Sequence, residues 1–254
     1  MSPLLSEPGA AQRQLPYSVR FEWGLDGARA VVPGADLAVV VDVLSFTTCV
    51  SVAVERGAAV FPYPLRDAGA SEFAAHHEAS LAGPRGSEGL SLSPVSLRAA
   101  RTLGRVVLPS PNGSTISHEL AATARQVVAV SLRNAAATAD WALATLPEDA
   151  VIAVIAAGEK WGHAGLRPAL EDELGAGAFI AGLAAAGRHN FSPESAAAAA
   201  AFDAAEPHLA AVLRGCSSGR ELVDAGYSED VAIAAELDAS SAVAVLKDGA
   251  YQVV

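Results

Sequence analysis

The chain has 254 residues, 52% hydrophobic and 18% charged, with 22 Gly and 14 Pro, a balance that excludes a collagenous, coiled-coil or disordered polypeptide and allows one large or two small domains. A net charge of −11 and a pI near 4.9 exclude a nucleic-acid binder that works by neutralising phosphates. Any anionic ligand must therefore be held by a local cluster of Arg, Lys or backbone N–H groups.

Residues 1–7 show no basic stretch ahead of an apolar run, so no secretory leader is expected. The longest apolar runs, 150–157 and the six alanines 196–201, are too short to cross a bilayer, and the expected location is the cytoplasm. Residues 1–36 read as an N-terminal segment with an edge strand. Residues 37–254 read as the main α/β domain, with room for two subdomains. From residue 37 the text LAVVVDVL is a valine-rich run ending at Asp42, the pattern of a strand buried on both faces. A helix follows over 45–57, where Ser45 or Thr47 can cap the start and Gly57 the end. Then come a strand at 59–62, a helix over 68–81 and a Gly/Ser-rich loop over 82–93.

The alternation resumes with a helix at 94–102, a strand at 105–109, a helix at 114–124 and a strand at 126–131. A helix at 135–146 and a strand at 150–157 precede two long helices, 171–186 and 194–214. Short helices at 219–225 and 229–237 lead to closing strands at 242–247 and 251–254. Strands alternating with helices predict a three-layer α/β/α fold on a largely parallel sheet, with a mixed sheet as the alternative. In such sheets ligands bind beyond the carboxyl ends of strands. Asp42, Ser110 to Ser114, Asn134 and Gly158 to Glu159 all stand just after a predicted strand.

Several familiar signatures fail. Gly215-Cys216-Ser217-Ser218-Gly219 fits G-x-S-x-G, but a nucleophile elbow needs a strand before it and a histidine after it, and the last histidine is His208. No P-loop or G-x-G-x-x-G motif occurs, and histidines 76, 77, 118, 163, 189 and 208 show no paired metal spacing. Cys49 and Cys216 form no C-x-x-C pair and read as small buried hydrophobes. An aspartyl nucleophile after a buried strand would be followed two residues later by an acid, and here that residue is Leu44.

What remains is a hard-cation site. Asp42 at a strand end and the pair Glu171-Asp172 near a helix start offer the oxygen ligands Mg²⁺ prefers. The bland alternative for the pair is a first-turn charge facing the helix dipole. Ser110-Pro111-Asn112-Gly113-Ser114-Thr115 could cradle a phosphate with backbone N–H groups and hydroxyls, or simply cap a helix. Ser218-Gly219-Arg220 reads the same two ways.

Together these motifs resemble the Mg²⁺-dependent 2-phosphosulfolactate phosphatase (ComB-like) family. The resemblance rests on Asp42-Val43-Leu44 with Thr47-Thr48, Ser93-Pro94, Asn112-Gly113-Ser114, Asn134, Ala157-Gly158, Glu171-Asp172 with Gly175-Ala176-Gly177, and Ser218-Gly219-Arg220-Glu221-Leu222 with Gly226, Asp230 and Asp238. It implies hydrolysis of the phosphomonoester of a small acidic hydroxy acid on an α/β/α fold. It also implies Mg²⁺ on Asp42, Glu171 and Asp172, which serve as the catalytic residues. Ser45, Thr47, Thr48, Asn112, Gly113, Ser114, Asn134, Ser218, Gly219 and Arg220 are the substrate- and phosphate-binding residues this reading implies. The family commonly carries Arg directly after Asp-Val-Leu, where this chain has Ser45, so Arg133, Lys160, Arg167 or Arg220 must compensate or the substrate differs. Two other readings remain open: a metal-independent binding protein for a phosphorylated metabolite, and a repurposed member acting as a lyase or isomerase on a related acid. The partner is a small phosphorylated acidic substrate, with neither nucleic acid nor membrane, and base rates alone favour a homodimer.

Overall fold

A computed structural model describes residues 8–64, 67–162 and 165–254; the leader expectation at residues 1–7 and His163 lie outside the described residues. Along the chain run β1 (Val19–Trp23), α1 (Gly24–Val31), β2 (Leu37–Val41), α2 (Phe46–Glu55), β3 (Ala59–Tyr63), α3 (Ala68–His76), β4 (Ser80–Leu81), α4 (Pro94–Ala99), β5 (Arg105–Pro109), α5 (Gly113–Thr123) and β6 (Val127–Val130). They continue with α6 (Ala135–Thr145), β7 (Ile152–Ala156), β8 (Glu159–Lys160), β9 (Leu166–Arg167), α7 (Leu170–Ala185), α8 (Pro193–Ala205), α9 (Leu209–Gly215), α10 (Ser217–Asp224), α11 (Ser228–Ala234), β10 (Ala244–Lys247) and β11 (Ala250–Val253).

Nine of these strands share one sheet in the order β1-β7-β2-β6-β10-β11-β3-β5-β4, while β8 and β9 form a separate hairpin. The strands β1, β7, β2 and β6 are mutually parallel, as are β3, β5 and β4. The closing hairpin β10–β11 runs antiparallel to both neighbours and joins the two blocks. The result is a three-layer α/β/α fold on a largely parallel, mixed sheet, as the alternation predicts.

All five residues of β2 are buried. Leu37, Val39 and Val41 enter one core and Ala38 and Val40 the other, which is why the strand reads as an unbroken apolar run. The first core packs the sheet on α6, α7, α8, α9 and Val231 of α11; the second packs it on α1, α2, α4 and α5. Four strands separate β2 from β5, a gap of about 24 Å in a flat sheet. Yet Ser110, just past β5, lies 3.4 Å from Asp42, just past β2. The sheet is therefore strongly curved around α2, which brings distant strand ends into one crevice.

Two predicted elements change, and one rejected motif stays rejected. The long helix expected over 194–214 breaks at a 3₁₀ turn, Glu206–His208, because Pro207 has no N–H to continue the ladder. The helix expected over 68–81 stops at His76, where Glu78 takes a left-handed conformation (φ 50°) and Ser80–Leu81 pairs with β5. G-x-S-x-G joins α9 to α10, so no strand precedes Ser217 and no nucleophile elbow exists there.

Candidate active site

Small residues let α7 reach the end of β2. A methyl group on Gly175 would come within 2.6 Å of Val43 and 2.9 Å of Val41, and one on Gly177 would run into the Ala198 carbonyl of α8. Packed this closely, the first turn of α7 delivers Glu171 and Asp172 to the crevice. Asp172 latches two strand ends together: Oδ1 accepts the Val43 N–H at 2.7 Å and Oδ2 the Gly158 N–H at 2.9 Å.

Asp42 is gripped from the other side. Its Oδ2 accepts the Gly113 N–H at 2.8 Å and the Ser110 hydroxyl at 3.4 Å, and its Oδ1 accepts the Phe46 N–H at 3.3 Å. Only glycine fits at 113, since an added methyl would stand 2.7 Å from Asp42 Oδ2 and 2.9 Å from its Cβ. Glu171 accepts the Cys216 thiol at 3.3 Å from the start of α10, sharing it with the Leu213 carbonyl at 3.1 Å, and Glu159 accepts the Asn112 amide at 3.0 Å.

Asp42, Glu171 and Asp172 are 5%, 2% and 3% exposed. Among the described residues none of them, nor Glu159, has a Lys or Arg ion-pair partner. Burial pushes the Asp42 carboxyl up to about 6 against the pull of the Gly113 and Phe46 N–H groups, with the Glu171 charge adding to the rise. Burial and then the charges of Asp42 and Glu171 raise Asp172 as well, opposed by its two amide bonds. Glu159 is lifted to about 7 by burial and by the Asp42 charge. The cluster thus holds mutual repulsion that only protons or a cation can relieve. Its donors are all hard oxygens, the set Mg²⁺ takes. Among the described residues no three His, Cys, Asp or Glu side chains are arranged to hold a metal ion together. Mg²⁺ does not need three, since it is usually held by one or two carboxylates with water and substrate phosphate completing the shell.

The predicted residues divide into two groups. Asp42, Glu171, Asp172, Asn112 and Gly113 come together, although the Gly113 N–H serves Asp42 itself. Thr47 and Thr48 are fully buried and turn their hydroxyls back to the Asp42 and Val43 carbonyls at 2.9 and 2.7 Å, bracing the turn after β2. The Ser114 hydroxyl donates to the Leu108 carbonyl at 2.8 Å. Asn134 donates to Ala129 and Ala242 and accepts twice from Ser131, so it caps the β6–α6 junction and keeps no free donor. Gly219 is a packing glycine, where any side chain would run into the Leu213 carbonyl. Arg220 is exposed beside Arg214 and Asp224 on a surface hollow, outside the carboxylate cluster.

Of the cations expected to compensate for Ser45, Arg133 is committed to Glu55 and Glu236. Lys160 is exposed, while Arg167 donates to Ser218 at 3.3 Å and its charge reaches Glu159. Sequence reasoning missed Arg85, which comes from the 82–93 loop and donates to Ser45 at 2.8 Å. It also left Glu159 without a role, though its place just after a strand was the available signal.

A family model described as 2-phosphosulpholactate phosphatase matches residues 29–249. The chain belongs to this family. A Deinococcus radiodurans relative named "Probable 2-phosphosulfolactate phosphatase" is 34% identical over 84% of this chain and 89% of its own length. Relatives of the same name from Thermus thermophilus and Gloeobacter violaceus are each 32% identical, over 85% and 82% of this chain and 92% and 87% of their own lengths. The 2-phosphosulfolactate phosphatases are phosphoric monoester hydrolases, so the expected enzyme class agrees with the family.

Proposed function

We propose that the chain is a Mg²⁺-dependent phosphatase that hydrolyses the phosphomonoester of a small acidic hydroxy acid. The observation that carries this reading is the set of three buried carboxylates, Asp42, Glu171 and Asp172, held in place without a cationic partner among the described residues. Mg²⁺ held by one or two of these carboxylates would neutralise phosphoryl oxygens and lower the pKa of a bound water.

The chain's own groups do the rest. Asp42 is a metal ligand rather than the attacking group, because Leu44 offers no acid two residues on. Gly113 and Phe46 fix its carboxylate, Asp172 ties the ends of β2 and β7, and Cys216 orients Glu171. Glu159, whose carboxyl burial lifts to about 7 in the metal-free chain, is the group that would donate a proton to the leaving oxygen. In the balanced step a water oxygen bonds to phosphorus, the ester P–O bond breaks, and the leaving alkoxide takes the Glu159 proton. The proton released by the attacking water restores Glu159. Beside Glu159 a hollow of about 370 Å³ lined by Trp23, Leu25, Asn112, Ile116, Lys160 and Leu166 offers room for the carbon skeleton. Both cysteines are unpaired and buried, which suits a reducing cytoplasm. Among the described residues no helix is long and apolar enough to cross a membrane.

The test is phosphate release from a panel of phosphomonoesters that includes 2-phospholactate and 2-phosphosulfolactate. Selective release from one acid supports the reading and names the substrate. Binding of those esters with no phosphate released favours a binding protein, and a trapped acyl-phosphate would overturn the ligand role of Asp42.

A further inference from the structure

We infer that Arg85 is a substrate-binding residue of this site, whose guanidinium takes an anionic oxygen group of the substrate. The inference rests on the phosphatase reading above and adds a specificity determinant to it. Ser45, the residue that leads into α2, stands three positions beyond Asp42, and Arg85 Nη2 donates to its hydroxyl at 2.8 Å. The arginine arrives from a loop that closes on itself through the Gly83 N–H on the Leu90 carbonyl at 2.7 Å and the Ser87 hydroxyl on the Pro84 carbonyl at 2.6 Å.

A dedicated support aims the group. Arg85 Nε donates to Asp230 Oδ2 at 3.0 Å, and the other oxygen of Asp230 accepts the Ser93 hydroxyl at 2.5 Å and the Val95 N–H at 3.2 Å. The Tyr227 ring lies against the guanidinium, 5.3 Å from its centroid. The Asp230 side chain is 1% exposed and that of Arg85 21%, so the anchor is buried while part of the arginine side chain still meets solvent. Among the described residues Nη1 has no hydrogen-bond partner, which leaves one edge of the fork open.

A cation here complements the charge of the site and its substrate. The crevice gathers Asp42, Glu159, Glu171 and Asp172, and a phosphorylated acid brings at least two more negative charges. An arginine that served only to anchor its loop would need Asp230 alone. A second bond, at Ser45, brings the fork to the residue three positions past Asp42.

The test compares 2-phospholactate with isopropyl phosphate, its analogue lacking the carboxylate, in wild type, Arg85→Ala and Arg85→Lys. KM for 2-phospholactate should rise about tenfold or more in Arg85→Ala, with partial recovery on adding guanidinium ion. A rise confined to 2-phospholactate assigns Arg85 to the carboxylate, and an equal rise for both esters assigns it to the phosphoryl group. An unchanged KM for both esters in a folded Arg85→Ala or Arg85→Lys protein overturns the inference while leaving the phosphatase reading intact. If wild type releases no phosphate, that reading fails by itself. The arginine is then judged by the rise in Tm that 2-phospholactate gives wild type and Arg85→Lys, where an equal rise or none overturns it.

Discussion

Asp42 and Gly113 meet at 2.8 Å although they follow strands separated by four others in the sheet. The contact needs both a curved sheet and a residue without a side chain. Gly113→Ala should push the Asp42 carboxylate off its amide, costing about 1–3 kcal/mol of stability. Turnover should fall at least about a hundredfold, since small displacements of a positioned group are expensive. Urea midpoints together with phosphate-release rates check this; a near wild-type rate would mean that Asp42 needs no such alignment.

Glu159→Gln should keep the Asn112 contact, because the amide oxygen can still accept, yet it cannot give up a proton. A fall in kcat of about 10²–10⁴-fold is expected with an alkyl phosphate. With p-nitrophenyl phosphate, whose leaving group needs no proton, the fall should be much smaller. Equal losses with both esters would argue against a general-acid role.

The raised carboxyls also set a stability profile. In the folded state Asp42 reaches about 6 and Glu159 about 7, above their ordinary values, so the folded chain binds more protons than the unfolded one in between. Their stabilising contribution is full below about pH 4 and is lost as pH rises through 6 to 7. With chelator present, Tm should fall between pH 5.5 and pH 8, and Glu159→Gln should flatten that fall. Thermal scans across this range check the sign.

Among the described residues the Cys216 thiol is the sole hydrogen-bond partner of the Glu171 carboxylate, at 3.3 Å. Burial and the Glu171 charge push this thiol up to about 12, so it stays a donor. Cys216→Val should raise the Mg²⁺ concentration for half-maximal rate about tenfold, and Cys216→Ser should restore most of it. Mg²⁺ titrations of both variants decide the point.

Much of the fold is legible in the sequence because its buried strands are short apolar runs and several helices, among them α2, α7 and α10, stop just before a glycine. Asp42 is legible for a related reason, since a carboxylate directly beside an apolar run must find a partner, whereas Glu171 and Asp172 read equally well as first-turn helix charges. Arg85 and Glu159 are harder to read. Arg85 sits in a Gly/Ser-rich loop, and its meeting with Ser45 depends on a tertiary contact through Asp230, 145 residues away. Conversely, Thr47, Thr48, Ser114 and Asn134 look like ligand groups in one dimension, but local backbone carbonyls and amides claim their polar atoms first. The break in the long alanine helix turns on the single residue Pro207, which high helix propensity on either side obscures.

The central claim is that the Asp42 cluster is a Mg²⁺-dependent phosphatase centre. Its most direct test is the rate of phosphate release from 2-phospholactate and 2-phosphosulfolactate as Mg²⁺ is titrated into chelated enzyme, with Asp42→Asn alongside. The account predicts saturable activation of wild type and a loss of at least about a hundredfold in Asp42→Asn. Full release in excess chelator, or an Asp42→Asn variant as active as wild type, would contradict it.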